Sequence, residues 1–116
     1  MFLEGVKHIK EEKKFETKIR KFIDECGGWQ VKYFANGYTK SGIPDILACV
    51  NGYFIAIEVK AENGRISALQ TYQIEMIRRA GGFAFVLYPS GYERFKQFIN
   101  GLLIDEFNKD MEMVMK

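Results

Sequence analysis

Asn51-Gly52 separates two apolar, β-rich runs, Ile46-Leu47-Ala48-Cys49-Val50 and Tyr53-Phe54-Ile55-Ala56-Ile57-Glu58-Val59. A two-residue type I′ turn needs positive φ at both central positions, and Asn-Gly accepts that with little strain. With those two residues as the loop, register follows by counting outward. Val50 faces Tyr53, Ala48 faces Ile55, Ile46 faces Ile57, and Asp45 faces Glu58. Two carboxylates then oppose each other on neighbouring strands, with Cβ atoms roughly 5 Å apart. Lys60 lies two residues beyond Glu58, so strand alternation returns it to the same face.

Directly opposed like charges are unfavourable. A solvated Asp and Glu at a strand end would tolerate the pairing, but the neighbours argue otherwise. Tyr53, Ile55, Ile57 and Val59 make one apolar face, and Phe54 and Ala56 make the other apolar as well. A strand buried on both faces carries Glu and Lys at its end when they have a task. A divalent cation between the carboxylates removes the repulsion and can hold a water, with Lys60 alongside. Asp45 and Glu58 are therefore candidate metal ligands and catalytic groups.

The rest of the chain supplies a sheet and its cover. From about Leu3 to Cys26, Phe15, Ile19, Phe22, Ile23 and Cys26 make a helical stripe, and Gly27-Gly28 stops it. Glu16 flanks that stripe, where it can pair with Arg20 at i+4 or reach the sheet edge towards Asp45 and Glu58. Gln30 to Ala35 alternates as a first strand, and the polar turn from Asn36 to Gly42 leads straight into Pro44-Asp45. Tyr38 and Lys40 on that turn are candidates for nucleic-acid contact, with Arg65 and Lys18 as further basic candidates. Ser67-Ala68-Leu69-Gln70 has the form of a capping box opening a second helix, with Leu69, Gln73, Met76, Ile77 and Ala80 as its inner face. Gly81-Gly82 ends it. Phe83 to Tyr88 is a continuous apolar strand suited to the centre of a sheet, and Tyr92 to Ile104 reads as a third helix. The order α-β-β-β-α-β-α makes a mixed sheet, with the last two strands parallel across a helical crossover.

Pro44-Asp45 followed by Glu58-Val59-Lys60 across a hairpin resembles the PD-(D/E)xK nuclease signature. The ordered set Glu16, Gly42-x-Pro44-Asp45, Glu58-Val59-Lys60, Ser67-x-x-Gln70 and Gly81-Gly82 resembles more narrowly the virus-type replication-repair nuclease domain, VRR-NUC, over about Phe15 to Tyr88. The resemblance implies a restriction-endonuclease-like αβββαβα core of mixed α/β type. It also implies Mg²⁺-dependent hydrolysis of DNA phosphodiesters, with Mn²⁺ able to substitute. Asp45, Glu58 and the Val59 carbonyl would hold the metal, and Lys60 would act electrostatically beside them. Gln70 and Glu16 gain site roles by the same resemblance. For Gln70 this competes with the cap, because a single amide can hardly do both at once. Short stand-alone relatives are typically viral or phage proteins acting on branched DNA such as Holliday junctions, which implies a homodimer and a cytoplasmic location in a bacterial or phage-infected host cell. Alternative readings are a flap- or end-processing nuclease, an inactive nucleic-acid-binding module, and a structural subunit without DNA affinity.

The 116 residues suit one core, read as a single domain over 1–116 with its core at about 15–88 and a C-terminal helix and possible dimer element over 92–116. No apolar run approaches the ~18 residues of a membrane span. Net charge is +2, although seven basic and three acidic residues fall between Lys7 and Lys21. Charge alone would not suggest DNA. Cys26 and Cys49 lack metal-ligand spacing and read as two buried thiols, and His8 reads as a solvated surface residue. Phe107, Met111, Met113, Val114 and Met115 in the last segment make it a candidate docking element for a second subunit.

Overall fold

Asn51 and Gly52 both take positive φ, 49° and 86°, and the hairpin closes around them in the expected register. This computed structural model describes residues 2–105, with side chains from Gly5 onward, so the expected docking element at 106–116 lies outside the described residues. The elements are α1 (Phe2–Glu25), β1 (Trp29–Lys32), β2 (Ile46–Val50), β3 (Tyr53–Val59), α2 (Ala68–Arg79), β4 (Phe83–Leu87) and α3 (Tyr92–Leu103). A 3₁₀ turn at Pro89–Gly91 leads into α3. The four strands form one mixed sheet in the order β1-β2-β3-β4. β1, β2 and β3 are antiparallel, and β3 and β4 are parallel, as a helical crossover between them requires.

Strand alternation divides the core. Ile46, Ala48, Val50, Ile55, Ile57 and Val59 face α1 and α3, where they meet Phe15, Ile19, Ile23, Phe95 and Ile99. Ala56 and Ala84 face the opposite way and meet Ile74 of α2. β3 is thus covered on both faces, which is why its whole second half is buried.

Four expectations need correcting. β1 stops at Lys32 rather than Ala35, although the Tyr33 N–H still donates to the Asp45 carbonyl at 2.7 Å. Phe83–Leu87 is an edge strand rather than a central one; its apolar run reflects cover by α2 on one face and α3 on the other, not a strand on each side. The inner face of α2 is Ile74 and Ile77, while Leu69 and Met76 are exposed. The thiols also differ from expectation, Cys49 being exposed and Cys26 half-buried.

Candidate active site

Asp45 sits one residue before β2. Extending the Ile46–Ile57 pairing by one step puts it opposite Glu58. Its carbonyl continues the ladder to β1, and its side-chain Oδ2 accepts from the Val59 N–H at 2.8 Å. The chain enters this position through a fully buried Pro44 and through Gly42. Gly42 takes φ +80°, and a Cβ there would lie 2.5 Å from the Leu69 carbonyl. Only glycine allows that approach, which seats the incoming loop on the first turn of α2 and so brings Gln70 to the end of β3.

Glu58 is 2% exposed, and three partners converge on it. Gln70 Nε2 donates to Glu58 Oε2 at 3.1 Å, and Lys60 Nζ stands 3.6 Å from the same oxygen. The third is Asp45. Burial, then the Asp45 charge and a hydrogen bond between the two carboxyl groups, push Glu58 up to about 8, against the opposing pull of Lys60. Without a bound cation the pair holds a proton at neutral pH.

Gln70 completes the cap and reaches the carboxylate pair at once. Its Oε1 accepts from the Ser67 N–H at 2.9 Å and completes the capping box, while its Nε2 points to Glu58. An amide has an acceptor end and a donor end, and the helix N-terminus lies close enough to β3 to use one of each. The cap therefore fixes the side chain in the rotamer that reaches the carboxylate.

Glu16 is 8% exposed and forms an ion pair with Lys32 of β1; Arg20 instead donates to Gln30 Oε1 at 2.7 Å. A small cavity of about 140 Å³ is lined by Ile9, Glu12, Lys13, Glu16, Lys32 and Asp45. Two of these residues escaped the sequence reading. Glu12 lies one helical turn before Glu16, close enough to Lys60 and Asp45 to feel both charges; burial chiefly raises its pKa. The i, i+4 spacing to Glu16 was the available signal. Lys32 faces Ile46 in the ladder, one step from Asp45, and nothing in the sequence fixed the pairing of β1.

The remaining candidates lie apart from the carboxylates. Tyr38 and Lys40 are exposed on the 36–42 loop, which is held by an Asx turn from Asn36 Oδ1 to the Tyr38 N–H at 2.8 Å. Arg65 is exposed on the loop that follows Lys60. Lys18 is engaged elsewhere, its ammonium 4.4 Å over the Tyr92 ring. A larger cavity of about 780 Å³ follows the open edge of β4 between Arg78 and Arg94 and shares no lining residue with the smaller one.

The donor set fits a hard divalent cation. Asp45 and Glu58 offer carboxylate oxygens that repel each other when both are charged, and the Val59 carbonyl lies between Glu58 and Lys60 along the chain. Among the described residues no three or more His, Cys, Asp and Glu side chains form a metal cage by themselves, so the fit rests on two carboxylates and a backbone oxygen.

Comparison with known proteins agrees with this fold. The chain is similar to the Holliday junction resolvase Hjc of Archaeoglobus fulgidus, an archaeal hyperthermophile, with 25% identity and a TM-score of 0.52. The match spans 66% of this chain and 66% of that one. No protein of curated function matches it. The VRR-NUC domain model matches residues 6–90, which takes in most of α1, the whole sheet and α2, and the chain belongs to the VRR-NUC family.

Proposed function

We propose that the protein is a metal-dependent deoxyribonuclease that hydrolyses phosphodiester bonds in branched DNA. The observation that carries this reading is the pairing of half-buried Asp45 with buried Glu58 at the open end of the hairpin, with Lys60 and Gln70 converging on Glu58. Asp45, Glu58 and the Val59 carbonyl would hold Mg²⁺, with Mn²⁺ as a substitute. When bound, the cation would supply positive charge to activate water and to offset charge on the phosphate.

The chain's own groups do the rest. The Val59 N–H holds one oxygen of Asp45, leaving the other directed to the site. Gln70, fixed by its cap, orients Glu58 through one oxygen. Lys60 places a cation where negative charge grows on the scissile phosphate. Glu16 keeps Lys32 at the wall of the neighbouring cavity, where a lysine can meet a DNA phosphate.

Branched DNA as substrate is supported by the likeness to a Holliday junction resolvase. Cutting two strands of a two-fold symmetric junction calls for a symmetric dimer. A phage or bacterial cytoplasmic setting accords with that substrate. Among the described residues no helix is long and apolar enough to cross a membrane.

The test is cleavage of linear duplex, single-stranded, flap and four-way-junction DNA with Mg²⁺, comparing wild type with Asp45→Asn. Wild type should cut the junction fastest, and the variant should lose at least ~10²-fold in rate while still binding it. Absence of cutting by either protein, with Mn²⁺ also supplied, would leave a DNA-binding module as the better account.

A further inference from the structure

Between β1 and the Asp45 carboxylate the chain leaves the sheet and returns to it, and the return is held at several points. The Tyr33 N–H, bonded to the Asp45 carbonyl, clasps the base of the loop. Further out, the Tyr33 hydroxyl donates to the Lys40 carbonyl at 3.5 Å, and Gln73 Nε2 of α2 donates to the Ser41 carbonyl at 3.4 Å. At the tip Asn36 and Thr39 close on each other. The Asn36 N–H donates to Thr39 Oγ1 at 2.9 Å, and that hydroxyl donates back to the Asn36 carbonyl at 3.1 Å. These bonds fix the backbone and leave the rings of the loop to solvent.

Phe34 is 73% exposed and Tyr38 is fully exposed, so neither adds to the core. Single exposed apolar residues need no explanation by themselves. What sets these two apart is their company. From Trp29 to Pro44 the chain carries two lysines, Lys32 and Lys40, and no acidic residue. The Lys32 ammonium stands 5.5 Å over the Phe34 ring, and the same lysine lines the small cavity beside Asp45. One side chain thus joins a free ring to the acidic site. Basic groups interleaved with exposed aromatics are what a surface needs to follow phosphates and stack bases.

We infer that Phe34 and Tyr38 are base-stacking residues, which pack on bases whose faces are opened at a branch point while Lys32 and Lys40 meet the flanking phosphates. Inside a duplex both faces of every base are covered by its neighbours, so a protein ring reaches them only where stacking is broken. The loop therefore turns DNA shape into affinity without reading sequence, since every base offers a π-face. Because the loop is clasped to Asp45, a base held on it keeps the adjoining backbone in a set relation to the carboxylates. The inference rests on the DNA reading proposed above and adds to it the part of the DNA that is recognised.

The test is binding, measured by fluorescence anisotropy with the full chain in EDTA so that no strand is cut. Labelled four-way junction and linear duplex are the probes. Phe34→Ala and Tyr38→Ala should each weaken junction binding by roughly 5- to 100-fold and leave duplex binding within about twofold. Phe34→Tyr and Tyr38→Phe keep a ring and should bind the junction as wild type does. Lys40→Ala should weaken both DNAs alike, as loss of a phosphate contact does. A junction with abasic sites at the branch point closes a double-mutant cycle: wild type should lose affinity for it, and Phe34→Ala/Tyr38→Ala should lose no more. Junction binding unchanged in either alanine variant, or weakened equally for the duplex, would overturn the inference. So would a ring-keeping variant as weak as its alanine counterpart, or additive effects in the cycle. Absence of binding to either DNA would remove the nuclease as well. Binding as described without cleavage in Mg²⁺ would refute the nuclease and spare the stacking; junction cleavage at the wild-type rate with both rings removed would do the reverse.

Discussion

Replacing Glu58 by Gln should make the metal-free protein more stable at alkaline pH and leave it unchanged in acid. Gln mimics the protonated carboxyl in shape and keeps an acceptor for Gln70. Glu58 titrates near 8 in the folded chain because burial and Asp45 disfavour its charge, against 4.5 for an unperturbed group. Between those values the native state binds the extra proton, so stability falls as pH rises, by about 1.4 kcal/mol per unit. The contribution is complete below pH ~4.5 and gone above pH ~8. Across the whole window the ceiling is about 5 kcal/mol, and solvent at the open side of the site lowers it to ~2–3 kcal/mol. Urea unfolding in EDTA at pH 5, 6, 7, 8 and 9 measures it. Wild type should lose midpoint steadily between pH 5 and 8 relative to Glu58→Gln, whose profile should lack this component. Adding Mg²⁺ at pH 8 should restore wild type by ~2.7 kcal/mol at a hundred times its Kd, and should do less for the variant. Parallel profiles for the two proteins would refute the buried, proton-sharing pair.

Two other predictions separate roles that the structure places close together. Ser67→Ala should cost ~1 kcal/mol in stability through the lost cap and leave DNA cleavage within threefold of wild type. Gln70→Ala should cost about the same in unfolding and lower the cleavage rate at least tenfold, because Glu58 loses its donor; equal rates in the two variants would reduce Gln70 to a capping residue. Lys32→Met should destabilise by ~3 kcal/mol in thermal or urea unfolding, because it strands the buried Glu16 carboxylate, and Lys32→Met/Glu16→Gln should recover most of that loss. A double variant no better than the single one would show that the pair contributes nothing through its charge.

The fold was largely legible because its signals are local. The turn Asn51-Gly52 sets the register of β2 on β3, and register alone carries Asp45 to Glu58. The stripe from Phe15 to Cys26 and the glycines after it likewise define α1 almost to the residue. What was misread depends on neighbours that local pattern does not name. An apolar strand covered on both faces looks the same in sequence whether it is central or, like β4, at an edge between two helices. The α2 flank was misread for a related reason. Leu69, Met76 and Ala80 share one side of the helix and Ile74 and Ile77 the next, and helical periodicity cannot say which of two apolar stripes meets the sheet.

The site divides along the same line. That Asp45, Glu58 and Lys60 come together follows from counting along one hairpin. Glu12 and Lys32 arrive from α1 and β1, and their approach depends on how those elements pack and pair. Gln70 is the instructive middle case. Its cap was visible in the sequence and its place in the site was implied by the family resemblance, but the two were set against each other as though an amide had one functional end. Here the carbonyl oxygen is spent on Ser67 and the amino group on Glu58, at 2.9 and 3.1 Å. Because the cap forms with the helix, the donor to Glu58 is oriented before any substrate arrives, and no separate ordering cost falls on binding. The capping box is thus how α2 delivers a fixed donor to the acidic pair, and the cap and the contact with Glu58 are one arrangement.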